Sequence, residues 1–218
     1  MPKYIISLFI LMQSINPMIK ISAQPNPVNE KLKINEHYYE ITGLNVMVFD
    51  DFYPEGHQGG LTIIQSGKRT AANGDLRLEP TPGQWSPTPV MGKREINREK
   101  GIIEVELWFP DSSKDRRGFN PIEYPEFKFK YSVRTEAIGR SIKLSIDLVE
   151  PLPEEWIGKV GFNLELFPGY YFGEHYLMDG KSGIFPRQPN GPMYKDSEGN
   201  LQIETLAEGK VLVVVPGN

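Results

Sequence analysis

The chain has 218 residues, and its 28 acidic side chains exceed its 24 Lys and Arg, for a formal net charge of −4. This balance argues against a surface devoted to nucleic acid, so we expect no nucleic-acid partner. The sequence contains no Cys, which excludes disulfides, thiolate metal sites and a cysteine nucleophile. Its 39% hydrophobic and 24% charged residues are typical of a folded globular chain. No apolar run reaches the roughly 18 residues that a membrane span requires.

Residues 1–23 have the layout of an export signal. Lys3 supplies a positive start, residues 4–12 form a short apolar core, and Ala23 offers a small side chain at a cleavage position before Gln24. We therefore predict removal of residues 1–23 and a periplasmic or extracellular protein. The same apolar segment also fits an ordinary buried N-terminal strand.

Most of the remaining chain alternates between apolar and polar residues, the period of a β-strand. Residues 24–35 are polar and predict a linker or an irregular first strand, and residues 36–218 predict a single β-sandwich domain. The clearest alternation covers residues 141–149, and residues 103–109 and 126–134 repeat it. Further predicted strands are residues 44–49, 61–65, 76–79, 160–167 and 211–215.

Three details complete the predicted fold. Residues 135–140 contain Gly139 and predict a hairpin connection of moderate length. The continuous apolar run at residues 211–215 predicts a strand buried on both faces. No helical period persists over three turns, and only residues 151–156 could hold one turn of helix. The fold class predicted is all-β, an antiparallel sandwich of about nine or ten strands.

The densest polar cluster lies between two predicted strands and contains Asp50, Asp51, Glu55 and His57. The favoured interpretation is a tight connection in which the aspartates accept backbone N–H groups and the neighbouring glycines adopt positive φ. A structural divalent cation and an acid/base pair are the alternatives. We expect no catalytic metal and no cofactor.

Carbohydrate chemistry is indicated by the aromatic residues, which number 11 Phe, 10 Tyr and 3 Trp. Sugar rings stack their C–H faces on flat aromatic rings, so exposed rings on a β-sandwich indicate carbohydrate binding. The candidates are Trp85 in a Pro-rich loop, Trp108 on the polar face of its strand, and Tyr170 and Tyr171 after a predicted strand. Each ring could instead cover a sheet face or fasten a loop.

Paired carboxylates are the other requirement of glycoside hydrolysis. Glu104 and Glu106 share one strand face, about 6 to 7 Å apart by the strand rise. A solvated strand face has the same pattern, so this pair is not assigned a catalytic role.

Several longer phrases resemble the N-terminal β-sandwich region of large exported glycoside hydrolases of Bacteroidetes type. The resemblance covers about residues 32–215, most of the chain after the leader. It implies a downstream helical-barrel catalytic domain similar to glycoside hydrolase family 9. The phrases are LNVMVFDDFYPEGHQGG at 44–60, NGDLRLEPTPGQW at 73–85, GFNPIEY at 118–124, PLPEEWIGKVGFNLELF at 151–167 and GKSGIFPRQPNGP at 180–192.

The resemblance further implies that the catalytic acids would lie beyond Asn218, so no catalytic residue is assigned in this chain. We expect an N-terminal fragment of a larger enzyme, with a polysaccharide or oligosaccharide and the helical domain as partners. Its role would be that of an accessory, non-catalytic sandwich in polysaccharide breakdown. The alternatives are a small complete glycan hydrolase that uses the carboxylates of residues 50–57, and a stand-alone carbohydrate-binding module.

Overall fold

The described part of the chain is almost entirely β-strand and turn, with one short helix. Its strands pair antiparallel, which confirms the all-β fold class. Across these described residues no helix is both long and apolar enough to cross a membrane. The computed structural model describes residues 6–10, 30–50, 60–79, 89–109, 128–186, 193–203 and 205–214.

The strands are numbered in chain order, and two short helical turns interrupt them after β10 and after β11. One is a 3-10 turn at Glu154–Trp156, and the other is helix α1, Pro168–Tyr171. The strands are β1 (Ile6–Ile10), β2 (Lys33–Asn35), β3 (Tyr38–Ile41), β4 (Leu44–Val48), β5 (Leu61–Gln65), β6 (Lys68–Leu78), β7 (Val90–Asn97), β8 (Ile102–Phe109), β9 (Phe129–Ile138), β10 (Ser141–Leu148), β11 (Val160–Leu166), β12 (His175–Met178), β13 (Lys181–Ile184), β14 (Met193–Lys195), β15 (Leu201–Ile203) and β16 (Leu212–Val214).

Two sheets form the sandwich. The first has six strands in the order β11-β6-β5-β4-β3-β2. Its strands β3 to β6 follow one another along the chain. The turns from β3 to β4 and from β5 to β6 are tight because glycines there adopt positive φ, at Gly43 (φ 79) and Gly67 (φ 77). The second sheet runs β10-β9-β8-β7, and β1 pairs with the outer edge of β10.

Alternation buries one face of each sheet against the other. In β8, Ile103, Val105 and Leu107 are at most 1% exposed, and Val46 and Val48 of β4 face them from the first sheet with similar burial. Removing each such side chain from water contributes roughly 1.5 to 3 kcal/mol, so the layer between the sheets holds the fold together.

A buried tyrosine fastens the two sheets to each other. Tyr39 of β3 is fully buried, and its hydroxyl accepts the N–H of Ile103 at 3.1 Å. The same hydroxyl lies 2.9 Å from the carbonyl oxygen of Thr135 and 3.0 Å from its Oγ1. Burial raises the pKa of Tyr39 to about 12. The phenol therefore stays neutral and makes the hydrogen bonds that water would otherwise make to polar groups of β8 and β9.

A smaller sheet follows α1 and has the order β13-β12-β16. Its inner face carries Tyr176, whose ring lies 4.9 Å from that of Phe185, and Phe185 in turn contacts Tyr171 of α1 at 5.8 Å. Asp179 closes the unit, since its carboxylate accepts the N–H groups of Lys210 and Val211. Strands β14 and β15 form a separate hairpin.

Two sequence predictions need correction here. The connection predicted at residues 135–140 is a two-residue turn at Gly139 and Arg140, because β9 continues to Ile138 and its Thr135 is bound by Tyr39. The strand at residues 211–215 was predicted to be buried on both faces. It forms β16 at a sheet edge, where Leu212 and Val213 are 46% and 48% exposed.

Several strands went unpredicted. For β12, β13 and β14 the reason is that three or four residues carry too little periodic signal. Strand β7 was also missed although it spans eight residues, and helix α1 lies outside the segment predicted to hold a helical turn. Strand β2 falls within residues 24–35, where a linker or an irregular first strand is predicted. The single helical turn predicted within residues 151–156 is confirmed as the 3-10 turn.

Candidate functional site

The predicted polar cluster is represented by Asp50 alone, since Asp51, Glu55 and His57 lie outside the described residues. The Asp50 carboxylate is 3.9 Å from the guanidinium of Arg94 in β7. Arg94 also donates to the carbonyl oxygens of Val48 at 2.8 Å and His37 at 2.5 Å.

These contacts join the ends of the two sheets. Burial lowers the pKa of Arg94 from its ordinary value, and Asp50 opposes that shift. Asp50 therefore sits beside a cation that is already held by backbone carbonyls. The acceptance of backbone N–H groups by the aspartates stays a prediction.

The candidate ring Trp85 also lies outside the described residues, whereas Trp108 lies within them. It projects from the outer face of β8 and is half-buried, opposite Val90 of β7. A Cβ added at Gly92 would lie 2.6 Å from the indole Cζ3. The indole thus rests on the backbone of β7, and this contact covers one of its faces.

The candidates Tyr170 and Tyr171 are consecutive residues of α1, and their rings lie in different surroundings. Tyr170 is half-buried, with the ammonium of Lys68 5.7 Å from its ring centroid. Tyr171 is 5% exposed, and its hydroxyl is hydrogen-bonded to Thr70. Burial raises the pKa of Tyr171. Its ring faces the small aromatic cluster of the C-terminal sheet and leaves Tyr170 as the outward ring of the pair.

The acidic pair on β8 is part of a charged outer face. Glu104 accepts a hydrogen bond from Arg134 of β9 at 2.9 Å, and both side chains are 38% exposed. Glu106 is exposed on the same strand. Exposed ion pairs of this kind stabilise a fold by at most about 1 kcal/mol, and they provide no dry cleft for acid/base chemistry.

Sequence reasoning missed a carboxyl in a strongly perturbed environment, Asp75 of β6. Its Oδ1 accepts a hydrogen bond from the Tyr131 hydroxyl at 2.9 Å and from the Leu76 N–H at 2.7 Å. Burial raises the pKa of Asp75 to about 7, and the two hydrogen bonds only partly oppose this. The Tyr131 ring is stacked on Phe109 with centroids 5.6 Å apart.

A carboxyl that titrates near neutral pH is a candidate acid or base. Here the group that faces Asp75 is a phenol anchored in the aromatic layer, and the raised pKa comes from burial rather than from a second carboxylate. No local signal marks it, because Asp75 occupies a polar position of the β6 alternation, as Asn73 and Arg77 do. A Cβ at Gly74 would lie 2.6 Å from the Cβ of Leu61, so the chain there is tightly packed.

The sandwich interior also contains a void of about 10 Å³. This volume is close to that of one water-sized probe. It is far below the several hundred Å³ of an ordinary ligand pocket. Its lining is apolar except for Arg140 and consists of Leu32, Leu44, Val46, Leu61, Ile63, Arg140 and Ile142.

The outer side of the three-stranded sheet exposes a group of apolar side chains. We call this the C-terminal apolar face, and it is formed by Leu177, Ile184, Val211 and Val213. These side chains are 41%, 55%, 59% and 48% exposed. Leu177 lies directly opposite Val213, and His175 lies opposite Ile184, so neighbouring strands place the apolar residues on one side.

In the part of the chain that the structure describes, no three His, Asp or Glu side chains are grouped to hold a metal ion. The comparisons with known proteins add no assignment, since no family model, curated protein or solved structure matches the chain.

Proposed function

We propose that this protein is the accessory, non-catalytic β-sandwich of an exported glycoside hydrolase that takes part in polysaccharide breakdown. Its partner is a helical-barrel catalytic domain, which supplies the two catalytic carboxyl groups. The long phrases that resemble the N-terminal sandwich of such enzymes support the carbohydrate assignment. The geometry supports the non-catalytic role.

The observation that carries the proposal is the C-terminal apolar face. In the sandwich, apolar residues of alternating strands are buried, as at Leu107 and Val133. Leu177, Ile184 and Val213 occupy equivalent positions in strands and remain exposed. Contiguous exposed apolar residues on a folded protein mark interaction surfaces, and the face suits the side of another domain of the same enzyme.

The environments of the described carboxylates support the proposal that this chain does not hydrolyse glycosides. Glycosidases hold two carboxyls about 5 to 10 Å apart across a cleft, with their pKa values moved apart. Asp75 has the raised pKa, but its partner is Tyr131. Glu104 is paired with Arg134 on an open strand face. Neither group faces a cleft with a second acid.

The first test is turnover. The purified chain is assayed against β-glucans, xylan and aryl glycosides, and we expect no activity. Activity that survives repurification and disappears in Asp50→Ala or Glu55→Ala would instead establish a complete small hydrolase. Tight glycan binding by the isolated chain, lost in Trp108→Ala, would favour a stand-alone carbohydrate-binding module.

The second test is association with a catalytic domain. We expect a helical-barrel glycosidase from the same genomic neighbourhood, expressed as a separate polypeptide, to copurify with this chain. The double substitution Leu177→Lys and Val213→Lys should abolish copurification. The matched control is Val149→Lys with Ile157→Lys, since both residues are 69% exposed but lie outside the C-terminal apolar face. Absence of such a domain, or equal effects of the two pairs, contradicts the proposal.

A further inference from the structure

The edge of the second sheet changes if the export signal is removed. In the full chain β1 pairs with β10 in the register Ile6 to Ile146 and Ile10 to Ile142. Cleavage after Ala23 would take β1 away with the leader, and β10 would become the last strand of its sheet. This inference therefore rests on the export that we predict from residues 1–23.

The hydrogen-bonding phase of β10 shows which groups would be freed. Just beyond β10, the Val149 N–H donates to Lys130 O of β9 at 3.0 Å. Backbone groups alternate in direction along an antiparallel strand, so the odd-numbered residues bond to β9. Ile142, Leu144 and Ile146 therefore point their N–H and C=O groups away from β9. An edge with such a row of free groups is a template for another strand.

The sequence of β10 is complementary to itself when it runs antiparallel about Ser145. That register sets Leu144 opposite the partner's Ile146, and both side chains belong to the apolar side of the sheet. On the polar side it sets Lys143 opposite the partner's Asp147. The twofold axis repeats this charge pair, so one β10 pairing contains two.

The hydrogen-bonding pattern of β10 places these two charged side chains favourably. Lys143 and Asp147 direct their backbone groups toward β9, so across the new edge they occupy non-hydrogen-bonded positions, where facing side chains lie closest. A register centred on Leu144 instead sets Lys143 opposite the partner's Ser145 and loses both charge pairs. Charge therefore selects the register centred on Ser145.

The other edge of the same sheet is built differently. On β7, Lys93 and Glu95 form an exposed ion pair, and the pairing of β7 with β8 is irregular between Met91 and Arg94. Charged side chains and irregular pairing discourage strand addition at an edge. The edge of β10 lacks an irregularity in its register with β9 from Ser141 to Leu148.

We propose that the exported chain forms a twofold dimer through antiparallel pairing of β10 with β10 of a second copy. The two second sheets become one continuous sheet, with the apolar layer of each copy extended across the axis. In the uncleaved chain β1 occupies this edge and prevents the pairing. Association is thereby coupled to removal of the leader.

The experiment compares the two forms of the chain. Protein made with its own leader is purified from the periplasm, and N-terminal sequencing checks that it begins at Gln24. Sedimentation should give the mass of a dimer for this form and the mass of a monomer for cytosolic protein that retains Met1. A cleaved chain that stays monomeric overturns the dimer and leaves export intact. A secreted chain that keeps Met1 contradicts removal of the leader and, with it, the proposed dimer.

Charge reversal tests the register. Lys143→Asp and Asp147→Lys each create two like-charged pairs, and each should weaken dimerisation at least tenfold. Mixing the two variants should restore a dimer with one copy of each, because every facing pair is then of opposite charge. Lys143 also lies opposite Glu136 of β9 within its own copy. Mixing the variants does not change that contact, so recovery of the dimer reports pairing between copies and not folding.

Lys130→Asp is the matched control, since Lys130 is an exposed lysine of β9 that does not lie at the edge. This variant should dimerise normally. Equal dimerisation of all variants, or aggregation of the cleaved chain that charge reversal does not change, overturns the proposed pairing.

Discussion

The sandwich and the C-terminal sheet are built from the same kind of strand but treat their apolar residues in opposite ways. Leu107 in β8 is 1% exposed, whereas Leu177 in β12 is 41% exposed, although both lie in antiparallel strands. The sandwich has a second sheet to cover each apolar face. The three-stranded sheet covers one face with Tyr176 and Phe185 and leaves the other open. The difference teaches that alternation specifies a face, while the cover for that face must come from elsewhere.

The first prediction compares the loss of a buried leucine with the loss of an exposed one. Leu107→Ala should lower the free energy of unfolding by about 2 to 5 kcal/mol, because it leaves a cavity in the closed layer. Leu177→Ala should cost less than about 1 kcal/mol in the isolated chain, because its side chain already contacts water. Urea denaturation of both variants measures the difference. Similar losses would show that the C-terminal apolar face is covered in solution.

The second prediction concerns the polar fastening of the sandwich. Tyr39→Phe keeps the ring but removes the hydroxyl that serves Ile103 and Thr135, so it should cost about 1 to 3 kcal/mol. Tyr194, which is 53% exposed in β14, provides the control, and Tyr194→Phe should change stability by less than about 0.5 kcal/mol. Thermal unfolding of the two variants tests this, and equal midpoints would contradict a role for the Tyr39 hydroxyl.

The third prediction concerns the pH dependence of the sandwich and of the hairpin formed by β14 and β15. The folded pKa of Asp75, about 7, lies above its ordinary value of 3.8, so the folded sandwich holds a proton that the unfolded chain releases. This contribution is full below about pH 4 and is lost as pH rises through about 7. We expect the sandwich to lose roughly 1 to 2 kcal/mol between pH 5 and pH 8, and Asp75→Asn should remove that slope.

The C-terminal hairpin should respond in the opposite direction. Its Asp196 accepts hydrogen bonds from Gln202 and from the N–H groups of Asn200 and Glu198, and these lower the pKa of Asp196. Stability from a lowered carboxyl pKa is present at neutral pH and is lost as pH falls through the folded pKa. The protection factors of the β14 and β15 amides, which correct for the intrinsic pH dependence of hydrogen exchange, should therefore fall in acid. Protection of both regions that varies in the same direction with pH would contradict the two assignments.

Much of the sandwich could be predicted because its strands are long. The inward residues of β8, β9 and β10 follow a period of two over eight or more positions, and the structure buries the predicted side. The run at residues 211–215 misled the prediction, because five apolar residues give no sign of whether a second layer exists. The candidate site fared differently. Asp50 is described and bound to Arg94, while the carbohydrate contacts stay a prediction.

The sequence by itself determined the all-β class, the faces of the long strands and the absence of disulfides, since these depend on local periodicity and residue type. The tertiary structure decided which faces are covered and which polar groups meet. Asp75 and Tyr131 are 56 residues apart in the chain, and Tyr39 and Thr135 are 96 apart. No local pattern encodes such pairs, because only the packing of one sheet on the other brings their atoms within hydrogen-bonding distance and removes the water around them.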